Sequence, residues 1–108
     1  MKKYALGLDF GTNSVRSLIV DISDGTELAG FVVPYVSGRD GLLLDPKDPN
    51  VARQNPADYL SGLTESVKKA VAAAVRLDVQ MLTVHTSGGT EMMRAAEAAA
   101  HETARLLN

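Results

Sequence analysis

Two short segments hold the residues most able to do chemistry. The first is Asp9-Phe10-Gly11-Thr12-Asn13-Ser14, with Arg16 two residues further on. A glycine in a tight turn lets backbone amides approach a phosphate closely, and successive N–H groups in such a turn form a concave donor nest. Thr12, Asn13 and Ser14 add side-chain donors, so Gly11, Thr12, Asn13 and Ser14 are candidate phosphate-binding residues. Asp9 is the candidate for a cation, because a carboxylate at the end of a buried strand could hold a hydrated Mg2+. The plainer reading of the same residues is a hairpin turn in which the Asp9 carboxylate caps the amides of residues 11–13.

The second segment is His85-Thr86-Ser87-Gly88-Gly89. A serine beside a histidine suggests a nucleophile and its base. However, His85 stands where a G-x-S-x-G elbow needs glycine, and no acid is positioned by sequence to complete a triad. Two readings stay open. One is a strand end followed by a helix capped by Ser87 or Thr90. The other is an anion held by the amides of Gly88 and Gly89 at a helix N-terminus. Gly88 and Gly89 therefore join Asp9 and residues 11–14 as candidates for cofactor binding, and no residue is singled out as catalytic.

These segments need elements to carry them. Residues 4–8 form an apolar run that stops at Asp9, and residues 15–20 resume a strand pattern after the turn. Asp24-Gly25 is a strong hairpin signal because both positions tolerate positive φ. Residues 28–36 give a third strand, and Pro34, which donates no ladder hydrogen bond, places it at a sheet edge. Residues 37–54 contain Gly38, Gly41, Pro46 and Pro49 and read as a long irregular excursion pinned by Leu42, Leu43 and Leu44. Asn55 then suits an N-cap, Pro56 the first helical position and Asp58 the positive end of the helix dipole. Tyr59, Leu60, Leu63, Val67, Ala70, Val71 and Ala74 follow helical spacing to about Leu77. Residues 79–85 read as a fourth strand. A second helix follows, with Met92, Ala96, Ala99, Thr103 and Leu106 inward, its alanines allowing close packing on a sheet. His101 falls on its solvated side. The order is β-β-β-α-β-α in one α/β domain of 108 residues. A strand, crossover helix and strand pair in parallel with right-handed connection, so the mixed four-stranded sheet is expected in the order 3-2-1-4. That order puts the turns after strands one and four at the same carboxyl edge. Strand four is an apolar edge, which suggests a homodimer joined through it.

Composition removes whole classes of function. A single domain of this length can bury one core without staples but cannot form an eight-fold βα barrel. Eleven basic and thirteen acidic residues give a net charge of −2, which supplies no general attraction to nucleic acid or to an anionic membrane. With no cysteine, disulfides, thiolate metal sites and cysteine nucleophiles are excluded. Two histidines are too few for a histidine-built metal cage. The first apolar run is too short for a signal peptide, and no stretch reaches the length of a membrane span, so a cytoplasmic location is expected.

Residues 3 to about 67 resemble the amino terminus of the ribulokinases, sugar kinases of the FGGY family. The resemblance rests on Lys3-Tyr4-Ala5-Leu6-Gly7-Leu8-Asp9-Phe10-Gly11-Thr12-Asn13-Ser14-Val15-Arg16, on Asp21, on the Asp24-Gly25 hairpin and on Asn55-Pro56-Ala57-Asp58-Tyr59. It implies the actin-like ATPase, or ribonuclease H-like, fold, with Asp9 near the metal and residues 11–14 facing the ATP phosphates. Residues from about 68 to 104, carrying Val84-His85-Thr86-Ser87-Gly88-Gly89-Thr90 and Met92-Met93, resemble a helix-strand-helix segment of orotidine 5'-phosphate decarboxylase. Together these resemblances imply an engineered or recombined chimera. Neither parent's catalytic constellation is complete in it, so no enzymatic activity is expected of the isolated chain. The alternative they imply is a weak ATP- or phosphate-binding remnant of a ribulose kinase.

Overall fold

A computed structural model describes residues 3–78, 82, 83 and 89–107. Among them the chain forms β1 (Tyr4–Phe10), β2 (Ser14–Asp21), β3 (Glu27–Pro34), β4 (Leu42–Asp45), β5 (Asp48–Gln54), α1 (Pro56–Arg76), β6 (Leu82–Thr83) and α2 (Gly89–Leu107). The strands make two sheets rather than the expected one. The larger has the order β3-β2-β1-β6 and the smaller pairs β4 with β5.

The first two hairpins follow from alternation and turn chemistry. In β2, Val15, Ser17, Ile19 and Asp21 are buried, while Arg16 on the opposite face is exposed. Antiparallel register sets Leu6 beside Ile19 and Asp9 beside Arg16, so cross-strand partners share a face. Gly25 takes φ +79°, and Asp24 Oδ1 accepts from Thr26 N at 2.9 Å, which closes the second turn. β3 lies at the edge of its sheet, as Pro34 requires.

Residues 37–54 are not an irregular excursion. They hold a twisted antiparallel ribbon, with Leu42 opposite Gln54 and Leu44 opposite Ala52, and an irregularity before Asp45 pairs with Asp48. Pro46 falls in the turn, where it removes no ladder bond, and Asp45 Oδ1 accepts from Lys47 N at 2.9 Å. Prolines read as part of an irregular excursion therefore mark a turn and a strand margin.

α1 starts where the sequence places it. Asn55 Oδ1 accepts from Ala57 N at 3.0 Å, and Pro56 begins the helix. The helix lies on β2 and β3. It buries Leu63, Val67, Ala70, Val71 and Ala74, while Leu60, expected inward, is 60% exposed. Gly62 permits the close approach, since a Cβ there would lie 2.8 Å from Val15 Cγ1. Ser17 Oγ, fully buried beneath the helix, donates to Ser66 O at 3.2 Å.

α2 packs chiefly along α1. Met92, Ala95, Ala99 and Thr103 are its buried residues, and Leu106 is exposed. The alanines on both helices supply the short side chains that let two helix axes come close. Met92 and Ala99 join Leu6, Ile19, Leu63 and Val67 in one apolar cluster. Of the fourth strand expected at 79–85, the described residues are Leu82 and Thr83, which pair in parallel with Tyr4 and Ala5. No helix among the described residues is long and apolar enough to cross a membrane.

Candidate functional site

The β1–β2 turn is held from three sides. Gly11 N donates to Ser14 O at 2.8 Å, which closes the hairpin. Tyr35 N, just after β3, donates to Asn13 O at 2.9 Å. Gln54 Nε2, at the end of β5, donates to Thr12 O at 2.6 Å and lies 3.5 Å from Gly11 O. Asn13 Nδ2 in turn donates to Asp40 O at 2.6 Å, which ties the turn to residues 38–41. Asp40 sits at φ +52°, and Gly41 at φ +84° lies so close to Tyr35 that a Cβ would stand 2.7 Å from its Cβ.

These contacts define what the turn has to offer. The Gly11 amide is spent on the hairpin, and the Asn13 side chain is already engaged. Asp9 does not end a buried strand: it is exposed, beside Arg16 on the open face. Nor does it cap the turn amides, for no such bond is made among the described residues. The amides of Thr12 and Asn13 are left without a hydrogen-bond partner among those residues. In a planar trans peptide the C=O of one residue and the N–H of the next point opposite ways. The hold on the carbonyls of Gly11 and Thr12 therefore turns the N–H groups of Thr12 and Asn13 outward.

Shallow depressions lie beside the turn. One, of about 380 Å3, is bounded by Asn13, Ser14, Val32, Pro34, Tyr35 and Asp40. Another, of about 290 Å3, lies along the strands and is bounded by Gly7, Leu8, Asp9, Arg16 and Leu18 with no turn residue, and so places a carboxylate and a guanidinium on one concave wall.

Behind the turn is an aromatic and hydrogen-bonded base. The Tyr59 ring stands edge-on to Phe10 at 5.7 Å and to Tyr35 at 5.3 Å, and the Tyr59 hydroxyl donates to Gln54 Oε1. Asp58, buried in the first turn of α1, accepts from Ser37 N at 3.1 Å and from Ser37 Oγ at 2.9 Å. The Tyr35 hydroxyl is buried with no partner among the described residues. Burial raises its pKa above the ordinary value, helped by the nearby Tyr59, Asp58 and Asp9.

Gly88, like His85 and Ser87, lies outside the described residues. Gly89 is exposed at the start of α2, and no hydrogen bond links it to the β1–β2 turn among the described residues. His101 is exposed on α2, 3.8 Å from Glu97. No group of three or more His, Asp or Glu side chains that could hold a metal occurs among the described residues. A lone exposed carboxylate such as Asp9 still fits Mg2+ that arrives on phosphate oxygens, since that ion keeps most of its waters and uses few protein ligands. Gln54, Tyr59, Tyr35 and Asp40 were missed by sequence reasoning. Gln54 and Asp40 lie 42 and 27 residues from their partners in the turn, so no local pattern could signal them.

The geometry describes an α/β unit whose first hairpin carries an exposed turn at the end of strands that pair Asp9 with Arg16. Comparison with known proteins gives a family likeness. Over 78 residues the chain is 44% identical to the ribulokinase of Shouchella clausii, matching 68% of this chain and 14% of that protein. Over 92 residues it is 34% identical to the ribulokinase of Vibrio parahaemolyticus, matching 82% of this chain and 16% of that protein. The ribulokinase of Halalkalibacterium halodurans is 41% identical over 73 residues, 60% of this chain and 12% of that protein. The chain thus spans about one seventh of the length of the curated relatives it matches. No family model matches it. Part of the chain is homologous to ribulokinases. The expectation that the chain is no enzyme is overturned by these relatives, which are named for an enzymatic activity. The decarboxylase-like segment and the chimera find no support in the comparisons. A match covering 82% of the chain runs past residue 67 wherever it begins.

Proposed function

We propose that the chain supplies the phosphate-gripping turn of an ATP-dependent carbohydrate kinase whose sugar is ribulose. One observation carries this reading: the carbonyls of residues 11–13 accept from Gln54 and Tyr35, while the amides of Thr12 and Asn13 have no hydrogen-bond partner among the described residues. Outward paired amides suit the equatorial oxygens of a phosphate, where charge is spread during phosphoryl transfer. Arg16 adds a fixed positive charge beside Asp9. Asp9 would hold hydrated Mg2+ through its waters, and that ion supplies neutralisation of charge on the phosphates when bound. The partial likeness to ribulokinases supports the nucleotide and the sugar, and the mixed sheet is compatible with the actin-like fold of FGGY kinases. What these residues do for the reaction is to position and stabilise charge, the main work of an enzyme that moves a phosphoryl group.

The test is calorimetric titration of the full chain with ATP and Mg2+. Heat of binding that is lost in Asp9→Ala and weakened in Arg16→Ala supports the reading. No heat at millimolar ATP rejects it. A coupled assay with ribulose and ATP then checks the sugar.

A further inference from the structure

We propose that Gln54 is the positioning residue of the β1–β2 turn, a statement that rests on the phosphate reading above. Its side chain bridges two parts of the fold far apart in sequence. Nε2 donates to Thr12 O at 2.6 Å and faces Gly11 O at 3.5 Å, while Oε1 accepts from the Tyr59 hydroxyl. The orientation of the amide is set by chemistry: both turn partners are carbonyl oxygens, so only the NH2 end can face them, and the oxygen must face Tyr59. Tyr59 cannot swing away freely, because its ring is wedged edge-on between Phe10 and Tyr35. The first turn of α1 therefore fixes Tyr59, Tyr59 fixes Gln54, and Gln54 fixes the peptide planes that direct the amides of Thr12 and Asn13 outward. Without this hold a turn whose residues 11–13 are all exposed would sample several peptide orientations, and each bound phosphate would have to select one of them.

Gln54→Glu separates the two halves of the bridge. A carboxylate still accepts from Tyr59 but cannot donate to Thr12 O, and it repels that oxygen. Tyr59→Phe does the reverse: it keeps the Nε2 donor and removes the anchor on Oε1. The experiment follows amide resonances of the 15N-labelled full chain during titration with inorganic pyrophosphate, with thermal unfolding of each variant measured alongside. In the unaltered protein the Thr12 and Asn13 signals are expected to move. In Gln54→Glu the affinity is expected to fall at least about tenfold, the worth of one hydrogen bond from a turn amide to a phosphate oxygen. Tyr59→Phe is expected to fall less. Both should stay folded and keep the resonances of α1 and β3, which distinguishes positioning from general loosening. If the unaltered protein shows no movement with millimolar pyrophosphate, the phosphate reading itself fails and the inference falls with it. If the unaltered protein binds and Gln54→Glu binds equally well, the inference alone is overturned.

Discussion

Removing the Asp58 carboxylate tests the anchor beneath the site. Asp58 is 4% exposed, and its two oxygens each take one hydrogen bond from Ser37. The Ser37 hydroxyl also accepts from Asn55 Nδ2 at 3.0 Å, while Asn55 caps the helix through its other atom. Asp58→Ala therefore strips two charge-assisted bonds, each worth about 1.5–3 kcal/mol in general. It also removes an acid from the first turn of a helix, worth about 0.3–1 kcal/mol. Ser37 is only half-buried, so water reclaims part of its bonding, and the low end of each range applies. The expected cost is about 3 kcal/mol. Asp58→Asn keeps one acceptor for the Ser37 amide and turns an NH2 toward the hydroxyl oxygen, so its cost should be about 1 kcal/mol. Urea unfolding followed by circular dichroism reads both, provided the slopes agree. Equal losses for Ala and Asn would refute the argument from acceptor geometry, and a loss below about 1 kcal/mol for Ala would refute the anchor altogether.

Tyr35→Phe should leave stability at neutral pH unchanged or raised, because the deleted hydroxyl is buried without a partner among the described residues. Its folded pKa is raised by burial first, so the folded protein holds the proton more tightly than the unfolded chain. That contribution is intact below the unfolded value of 10.0 and is lost as pH rises through the folded pKa, so unfolding midpoints measured above pH 10 should fall less steeply in the Phe variant. Gly41→Ala should destabilise by at least about 1–3 kcal/mol, since φ +84° disfavours a side chain and the new Cβ would meet Tyr35; an unchanged melting temperature would contradict that packing. Val67→Ala, fully buried, should cost about 2 kcal/mol. Leu60→Ala, mostly exposed, should cost less than about 0.5 kcal/mol, and reversal of the two in urea would show that the buried stripe of α1 is misassigned.

Local chemistry determined much of the architecture in advance. Alternation along β2, the Asp24-Gly25 turn, Pro34 at an edge and the Asn55-Pro56 helix start were all legible, because each acts within a few residues of itself. The turn over residues 11–14 was legible as a turn for the same reason. Tertiary structure alone decided what packs against it. Which amides are spent and which are free depends on Gln54, Tyr35 and Asp40, brought in from distant strands and loops. The β4–β5 ribbon was hidden because its prolines sit where a ladder loses nothing, and the exposure of Leu60 because helical periodicity does not show how wide a stripe its partner covers. A short sequence pattern fixes backbone angles through local sterics. The direction in which a peptide plane points is fixed by whatever polar group packing places against it.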